Sequence, residues 1–406
     1  MAISRHQSAG SFYVISKERF RKQLLTWKAA LPDVKPYYAI KCNPDPNLLR
    51  WLAEGGAGFD CASAREISIV KEVSKDADII LANPCKKRED IEYAKEVGVD
   101  TTVVDSREEI EKMVDCDWAG SSFIRIRVED SGSTMPFSAK FGVPIHEAGD
   151  LAAYALTLKQ KISGVSFHVG SGCNDASQFK KAIISANAVF PLMYAQQKKK
   201  TIDIGGGFTN ANFDGAALEV KRSRGTITSN TQLIAEPGRF FAATSHDLFV
   251  KVIGKKPMAR HGGFRYTLDE SLYGQFSCIP YDHAQPKWIR VRGPNDKAKR
   301  KTLPGILYGR TCDSVDLIAA SEDTEELFEG DWLWFPNMGA YTTVTSTEFN
   351  GFPKPPTILC ENDSDGSLPD VRQFQDEFTK NVKYATAVAV PRLFENSDYF
   401  LPSNPS

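Results

Sequence analysis

The sequence predicts a (β/α)8 TIM-type barrel followed by a C-terminal antiparallel β-sandwich or β-barrel domain, and three observations lead to that expectation. From about residue 36 to 240, short apolar runs alternate with longer segments of helical period, which is the pattern of a parallel sheet covered by helices. After about residue 242 the pattern changes to aromatic and β-branched runs set among Gly, Pro, Asn and Asp. The chain of 406 residues, 42% apolar and 25% charged, is long enough for two cores.

Within the first region, YYAIK, ADIILA, FIRIRV, ISGVSF and TIDIG read as buried strands. PNLLRWLAEG, SAREISIVKEV, REDIEYAKEVG and SQFKKAIISANAVFPLMYAQQ place apolar residues at three- and four-residue steps and read as covering helices. So many strand-helix units in about 200 residues suit a closed barrel. The stretch from Phe208 to Gln232 is a poor barrel helix by its polar content and is expected to be truncated or irregular. LFVKVIGKK, FRYTLDES, WIRVRG, DWLWF and YTTVTSTEF read as antiparallel strands, whereas SFYVIS fits either domain. The expected division is residues 1–35 as an N-terminal segment partly joining the β domain, 36–241 as the barrel, and 242–406 as the β domain. The charged stretches 295–301 and 321–331 read as solvated loops or helix faces, and the residues after Phe349 end in a polar tail containing Ser and Pro.

Fifty basic against fifty-one acidic residues leave a net charge of -1, which gives no general attraction to nucleic acid or an anionic membrane. A small-molecule partner is the expectation. Eight cysteines, at positions 42, 61, 85, 116, 173, 278, 312 and 360, form no C-x-x-C pair and no metal-ligand spacing with histidine, so they read as reduced thiols and no metal is expected. The opening residues carry no apolar or arginine-rich leader, and no run reaches the roughly 18 apolar residues of a membrane span. A cytoplasmic protein follows as the expectation.

Four motifs carry chemistry. Lys41, at the end of the strand YYAIK, faces the mouth of a barrel, where a Schiff-base lysine would stand; alone, such a lysine is commonly a solvated strand terminator. Gly205, Gly206 and Gly207 follow another strand and let backbone N–H groups approach a phosphate. SFHVGSG brings His168 and Ser171 to a third strand end, though standing alone it reads slightly better as a structural turn with a packed histidine. AEPGR places Glu236, Gly238 and Arg239 at a fourth, where a buried carboxylate would keep a pyridine nitrogen protonated. Lysine for an aldehyde, glycines for a phosphate, a stacking histidine and an acid for a pyridinium together match the requirements of pyridoxal 5'-phosphate.

The ordered blocks YYAIKCN, GFDCAS, ANPCK, KFG, SFHVGSGC, DIGGGF, AEPGRF, YGQFSCIPYDHA, YGRTCDSVD, GDWLWFPNMGAYT and FNGF, over residues 11–351, resemble the eukaryotic ornithine decarboxylase family. That family belongs to the alanine-racemase-like barrel group of pyridoxal-phosphate enzymes. The resemblance implies that Lys41 forms the Schiff base, His168 stacks on the cofactor ring and Glu236 pairs with its nitrogen. Ser171, Gly207, Gly238, Arg239 and Tyr341 would hold the phosphate, with Asp60 and Arg125 at further cofactor positions. Asp282 and Asp313 would bind a distal ammonium, Tyr273, Tyr281 and Phe349 would line that pocket, and Cys312 would support protonation after carbon dioxide leaves.

In the family, the cysteine and aspartate of TCDS reach into the neighbouring subunit's site, so the resemblance implies a homodimer with shared sites, and Lys140 and Asp316 resemble an ion pair across the interface. Whether an antizyme-like regulator binds is not read from the sequence. Two departures stand out: Tyr308-Gly309-Arg310 where the family usually has Trp-Gly-Pro, and Ser314 where it has glycine. Arg310 reads as a flexible cation near the pocket. The expected activity is decarboxylation of ornithine to putrescine, with the same chemistry on lysine, arginine or a modified amino acid as the alternative. A catalytically inactive, antizyme-inhibitor-like binding protein is a third reading.

Overall fold

The computed structural model describes residues 10–193, 200–228, 230–258, 262–291 and 300–361. Two compact units divide it, one of them Arg19–Ala243 and the other made of the residues up to Glu18 with those from Thr244 onward.

Strand β1 (Phe12–Ser16) belongs to the second unit, and the barrel begins with β2 (Val34–Ala39). It continues through β3 (Gly58–Cys61), β4 (Ile79–Leu81), β5 (Thr101–Val104) and β6 (Ser121–Arg125). A short antiparallel ribbon pairs β7 (Ser133–Met135) with β9 (Ser171–Cys173), while β8 (Lys161–Ser166), β10 (Lys200–Asp203) and β11 (Thr231–Ala235) complete the parallel barrel. The pairing of β11 with β2 closes it. The five strand runs expected from the sequence lie in the barrel, and β3 (GFDC) and β5 (TTVV) add strands whose polar residues interrupt the apolar pattern.

The barrel interior follows from strand alternation. Tyr37, Ile80, Val103, Phe123 and Ile234 come from five different strands and form one buried cluster, which only inward-pointing side chains can do. The helices start where capping chemistry allows. Asp45 precedes Pro46 and accepts the N–H groups of Asn47 at 2.9 Å and Leu48 at 3.2 Å, and Ser63 and Ser106 cap the next helices of the kind in the same way. Lys86 of the ANPCK block is buried, donates to the carbonyls of Asn83 at 3.0 Å and Val103 at 2.8 Å, and pairs with Glu109 at 2.9 Å, tying the loop after β4 to β5.

The stretch expected to be irregular instead contains an eleven-residue helix, Phe213–Ser223. Phe213, Ala216, Ala217 and Val220 are buried on it at helical spacing. Two of its four inward residues are alanines, so the stripe is narrow and the polar flanks mask it. The helix Lys17–Ala30 delivers Trp27, whose indole N–H donates to the Val34 carbonyl at 3.0 Å. The same ring packs on Phe208, Phe213, Phe240 and Phe241 at centroid distances of 5.2, 5.5, 5.7 and 5.6 Å. Phe208 and Phe240 directly follow the glycines of DIGGGF and the arginine of AEPGR, so this aromatic slab supports both loops.

In the other unit the sheet runs in the order β14 (Ile289–Arg290), β17 (Trp332–Phe335), β12 (His246–Pro257), β13 (Phe264–Leu268), β15 (Thr302–Tyr308) and β16 (Leu317–Glu325). SFYVIS is settled here: β1 pairs antiparallel with β12 and parallel with β18 (Thr357–Cys360). The β13–β15 pair is also parallel, so the sheet is mixed rather than wholly antiparallel. Leu248, Val250, Tyr266, Leu268, Phe276 and Phe335 are part of its core.

YTTVTSTEF is not a strand. Tyr341 has φ 55°, and the hydroxyls of Thr342, Thr345 and Ser346 donate back to the carbonyls of Met338, Tyr341 and Thr343, giving the backbone turns in place of a ladder. The acidic stretch 321–331 is not simply a solvated loop, because Ser321–Glu325 lies in β16, Glu325 pairs with Arg290 at 2.9 Å and Glu326 with Lys255 at 2.7 Å. Of the basic stretch 295–301, residues 295–299 lie outside the described residues, as does the tail from 362; Arg300 pairs with Asp331.

Removing the ring that ties the slab together should cost about 3–5 kcal/mol of stability. Trp27→Ala is therefore expected to lower the urea midpoint of unfolding markedly and to weaken cofactor retention along with it. Equilibrium denaturation followed by far-UV circular dichroism measures the first, and cofactor absorbance after dialysis the second.

Candidate functional site

A parallel barrel brings all its strand C-termini to one rim, and the motif residues of the barrel unit gather there. Lys41 sits on the short turn Ile40–Cys42 directly after β2, Asp60 on β3 and Arg125 at the end of β6. His168 follows β8, Ser171 opens β9, Gly205–Gly207 follow β10, and Glu236, Gly238 and Arg239 follow β11. The Lys41 ammonium lies 2.7 Å from a carboxylate oxygen of Asp60, which is 2% exposed, while the lysine side chain remains 48% exposed. Asp60 is thus a buried partner for the lysine and not a helix cap.

Asp203, the last residue of β10, stands inside the barrel beside Glu236. One carboxylate oxygen of Asp203 accepts the Gly205 N–H at 2.9 Å, and Glu236 donates its own N–H to the Gly205 carbonyl at 2.7 Å, so one glycine fixes both acids. The other oxygen of Asp203 has no donor, and the group placed to bond it is the Glu236 carboxyl. Two acceptor-only carboxylates cannot bond without a proton between them. Burial pushes Asp203 up to about 7, and burial, followed by the nearby charge of Asp203, pushes Glu236 well above the usual carboxylate range. The pair therefore holds a proton or receives a cation.

His168 is held neutral, first by burial and then by the positive charges of Arg125 and Lys41. Its Nδ1 accepts the Gly170 N–H at 2.9 Å, which places the ring proton on Nε2. The ring of Phe137 lies 4.8 Å from it at an interplanar angle of 60°. Arg125 stands over the Phe141 ring at 4.9 Å, and Lys140 approaches the same ring at 4.8 Å.

The glycines leave room that side chains would fill. A Cβ on Gly206 would stand 2.8 Å from His168 Nε2 and 2.9 Å from the Glu236 carbonyl, and Gly207, with φ 95°, would press a Cβ within 2.7 Å of the Gly170 carbonyl. Gly238 backs onto Cys42, and the Arg239 guanidinium donates to the Ser171 hydroxyl at 3.2 Å. A lysine beside an acid, a neutral imidazole face, a glycine cradle with an arginine and a serine, and a buried carboxyl pair fit pyridoxal 5'-phosphate. The sequence reading missed two of these contributors. Asp203 was visible at the strand end before the glycines, whereas nothing in the pattern marked Phe137.

The remaining expected residues lie in the other unit. The Tyr273 hydroxyl donates to the Asp313 carboxylate, which draws Asp313 below the usual carboxylate range and raises the Tyr273 phenol. Tyr273 stacks on Phe349 at 4.3 Å, and the Cys312 N–H donates to the Asn350 side chain at 3.0 Å while its thiol is exposed. Tyr281 and Asp282 end the short helix Cys278–Asp282; Tyr281 is 66% exposed and Asp282 half-buried. Asp316 is buried and accepts from the Leu272 and Thr311 N–H groups and the Thr311 hydroxyl, so its carboxylate ties its own loop to the turn at Leu272. Arg310 is not a flexible cation: it pairs with the buried Glu270.

The Asp203 carboxyl sets a pH dependence of known sign. Its folded value, about 7, exceeds the unfolded one, so the folded state binds the proton more tightly and stability falls as pH rises from about 4 through 7. With cofactor removed, Asp203→Asn should lessen that fall by an amount on the order of 1–4 kcal/mol. Urea midpoints of both proteins at pH 5 and pH 8 measure the difference.

Comparison with known proteins agrees with this geometry. Residues 17–243 match the family model described as pyridoxal-dependent decarboxylase, pyridoxal binding domain. Antizyme inhibitor 2 of Xenopus laevis is 37% identical over 376 residues, 87% of this chain and 82% of the relative. A probable ornithine decarboxylase of Dictyostelium discoideum is 37% identical over 365 residues, 85% of this chain and 78% of the relative. Among solved structures, the arginine decarboxylase of Paramecium bursaria Chlorella virus superposes with a TM-score of 0.83 at 33% identity, covering 88% of this chain and 98% of the viral one. From its barrel, its rim and these relatives together, the chain belongs to the pyridoxal-phosphate-dependent decarboxylases that include the ornithine and arginine enzymes.

Proposed function

We propose that the chain decarboxylates L-ornithine to putrescine and carbon dioxide as a cytoplasmic homodimer with shared sites. The observation that carries the reading is the carboxyl pair of Asp203 and Glu236 at the ends of β10 and β11, beside the Lys41–Asp60 pair of β2 and β3. When bound, pyridoxal phosphate supplies a conjugated ring that accepts the electron pair left behind by carbon dioxide. Lys41, whose ammonium Asp60 positions, would be the residue that holds the cofactor aldehyde. Glu236, fixed through Gly205, keeps a proton on the ring nitrogen, and Asp203 keeps the glutamate in position. His168 packs against the ring as a neutral face. Ser171, Gly207, Gly238 and Arg239 would hold the phosphate.

On the substrate side, an ionised Asp313 held by Tyr273 suits a distal ammonium, and Asp282 adds a second carboxylate. Tyr281 and Phe349 supply apolar walls. Cys312, beside Asp313 and exposed, delivers the proton to the substrate carbon. Arginine or lysine in place of ornithine is a second reading, supported by Ser314 in the substrate loop and by the similarity to a viral arginine decarboxylase.

Purified protein supplied with pyridoxal phosphate and, separately, ornithine, lysine and arginine should give putrescine as the dominant amine by mass spectrometry. Dominant cadaverine or agmatine would move the assignment to the second reading. No amine and no visible cofactor absorbance would make the chain a binding protein of the kind represented by the antizyme inhibitor. Lys41→Ala should reduce turnover by several orders of magnitude in the same assay. Cys312→Ala should keep carbon dioxide release but replace much of the amine by aldehyde.

A further inference from the structure

Between β15 and β16 the residues Gly309–Asp316 form a loop without regular structure, and it carries Cys312 and Asp313. Its ends are anchored. Gly309 donates its N–H to the Asp316 carbonyl at 2.8 Å, and Asp316 binds Leu272 and Thr311, while Cys312, Ser314 and Val315 are exposed. At the front of the loop, Arg310 donates its backbone N–H to the Glu270 carbonyl at 3.2 Å and places its guanidinium 3.6 Å from the Glu270 carboxylate. The same guanidinium lies 4.3 Å over the Phe352 ring and donates to the Pro353 carbonyl at 3.4 Å.

Glu270 is 1% exposed. Its Oε2 accepts the N–H groups of Ser271 at 3.2 Å and Gln275 at 3.1 Å, and its Oε1 accepts the Ser11 hydroxyl at 3.2 Å. A carboxylate so deeply placed needs a counter-charge, and Arg310 supplies one. Arg310 therefore joins three pieces of backbone: the turn at residues 269–275, the loop at 309–316, and the segment at 349–353. Each carries a substrate-side residue: Tyr273, Cys312 with Asp313, and Phe349. The Tyr273–Asp313 bond and the Tyr273–Phe349 stack run between those same three pieces.

We propose that Arg310 and Glu270 form a buried clamp that positions Cys312 and Asp313, making Arg310 a positioning residue for the site of protonation and for the distal ammonium. This rests on the roles proposed above for Cys312 and Asp313. Arg310 stands only two residues before the thiol, so loss of its charge leaves Glu270 buried without its cation and frees the front of the loop. Loss of both charges removes the conflict but not the need for a tether. The double variant is thus more stable than either single one, while its loop stays loose.

The full-length, cofactor-loaded protein is compared with R310M, R310K, E270Q and R310M/E270Q. Hydrogen exchange of the loop amides reads the clamp without reference to any substrate. The amides of Gly309, Thr311 and Cys312, all bonded in the structure, should exchange about 10-fold faster in R310M, with R310K in between. In the amine assay, R310M should raise KM and raise the aldehyde-to-amine ratio, each by about 10- to 100-fold, with kcat for carbon dioxide release less affected.

Unchanged loop exchange in R310M overturns the clamp, whatever the substrate. Faster exchange with wild-type KM and product ratio overturns the positioning role. Uniform loss of stability and cofactor that R310K does not rescue would also overturn it, because it is the mark of a purely structural residue. If the parent protein forms no amine from any of the three amino acids, the functional reading fails, and the exchange experiment still decides the clamp.

Discussion

Charge balance at the barrel rim governs the rest of the site. Asp203 and Glu236 stand at neighbouring strand ends, and Lys41, after the next strand, engages Asp60 of β3 directly. Burial makes a second and third negative charge side by side costly. The arrangement answers that cost by coupling Asp203 to Glu236, a pair stable with one proton or opposite a protonated heterocycle. Burial first, and then the charges of Arg125 and Lys41, keep His168 neutral. A charged imidazole would oppose a cationic ring, whereas a neutral one can lie against it.

Asp313, in the other unit, uses the opposite device. Asp313 is drawn below the ordinary carboxylate range by a phenol and a backbone N–H, without burial, so it remains ionised over the physiological range. Asp203 and Glu236 are thus tuned upward by exclusion of water, and Asp313 downward by hydrogen bonds. The difference suits the roles proposed for them, a flat aromatic cation at the rim and a solvated, flexible ammonium at the loop.

Much of this was legible in the chain because barrel chemistry sits at strand ends, and strand ends here are marked by lysine, histidine or glycine clusters. Lys41, His168, Glu236 and Arg239 stand out for that reason. Asp203 did not, since its meaning depends on β10 lying beside β11, and adjacency in a barrel is not written in either strand. Phe137 reaches His168 from the ribbon between β6 and β8, a contact without any periodic signal. The helix Phe213–Ser223 was hidden by alanines in its apolar stripe, and YTTVTSTEF misled because β-branched residues favour strands only while their hydroxyls leave the backbone alone. Arg310 was visible as a departure, but its partner Glu270 lies across a stretch of sheet and could not be paired with it by spacing.

The position of β1 has a bearing on how the chain comes to be folded. Tyr13 lies opposite Leu248 on one side and Thr357 on the other, with the entire barrel unit between the first pair of contacts in the sequence. During synthesis the barrel segment emerges with all its strands available to one another, so it can close while the remainder is still being made. β1 is made before the barrel and stays apolar and unpaired until β12 follows, gaining β18 on its other edge later still. Its five residues are buried in the finished sheet, which makes this early segment a natural site for a chaperone to hold.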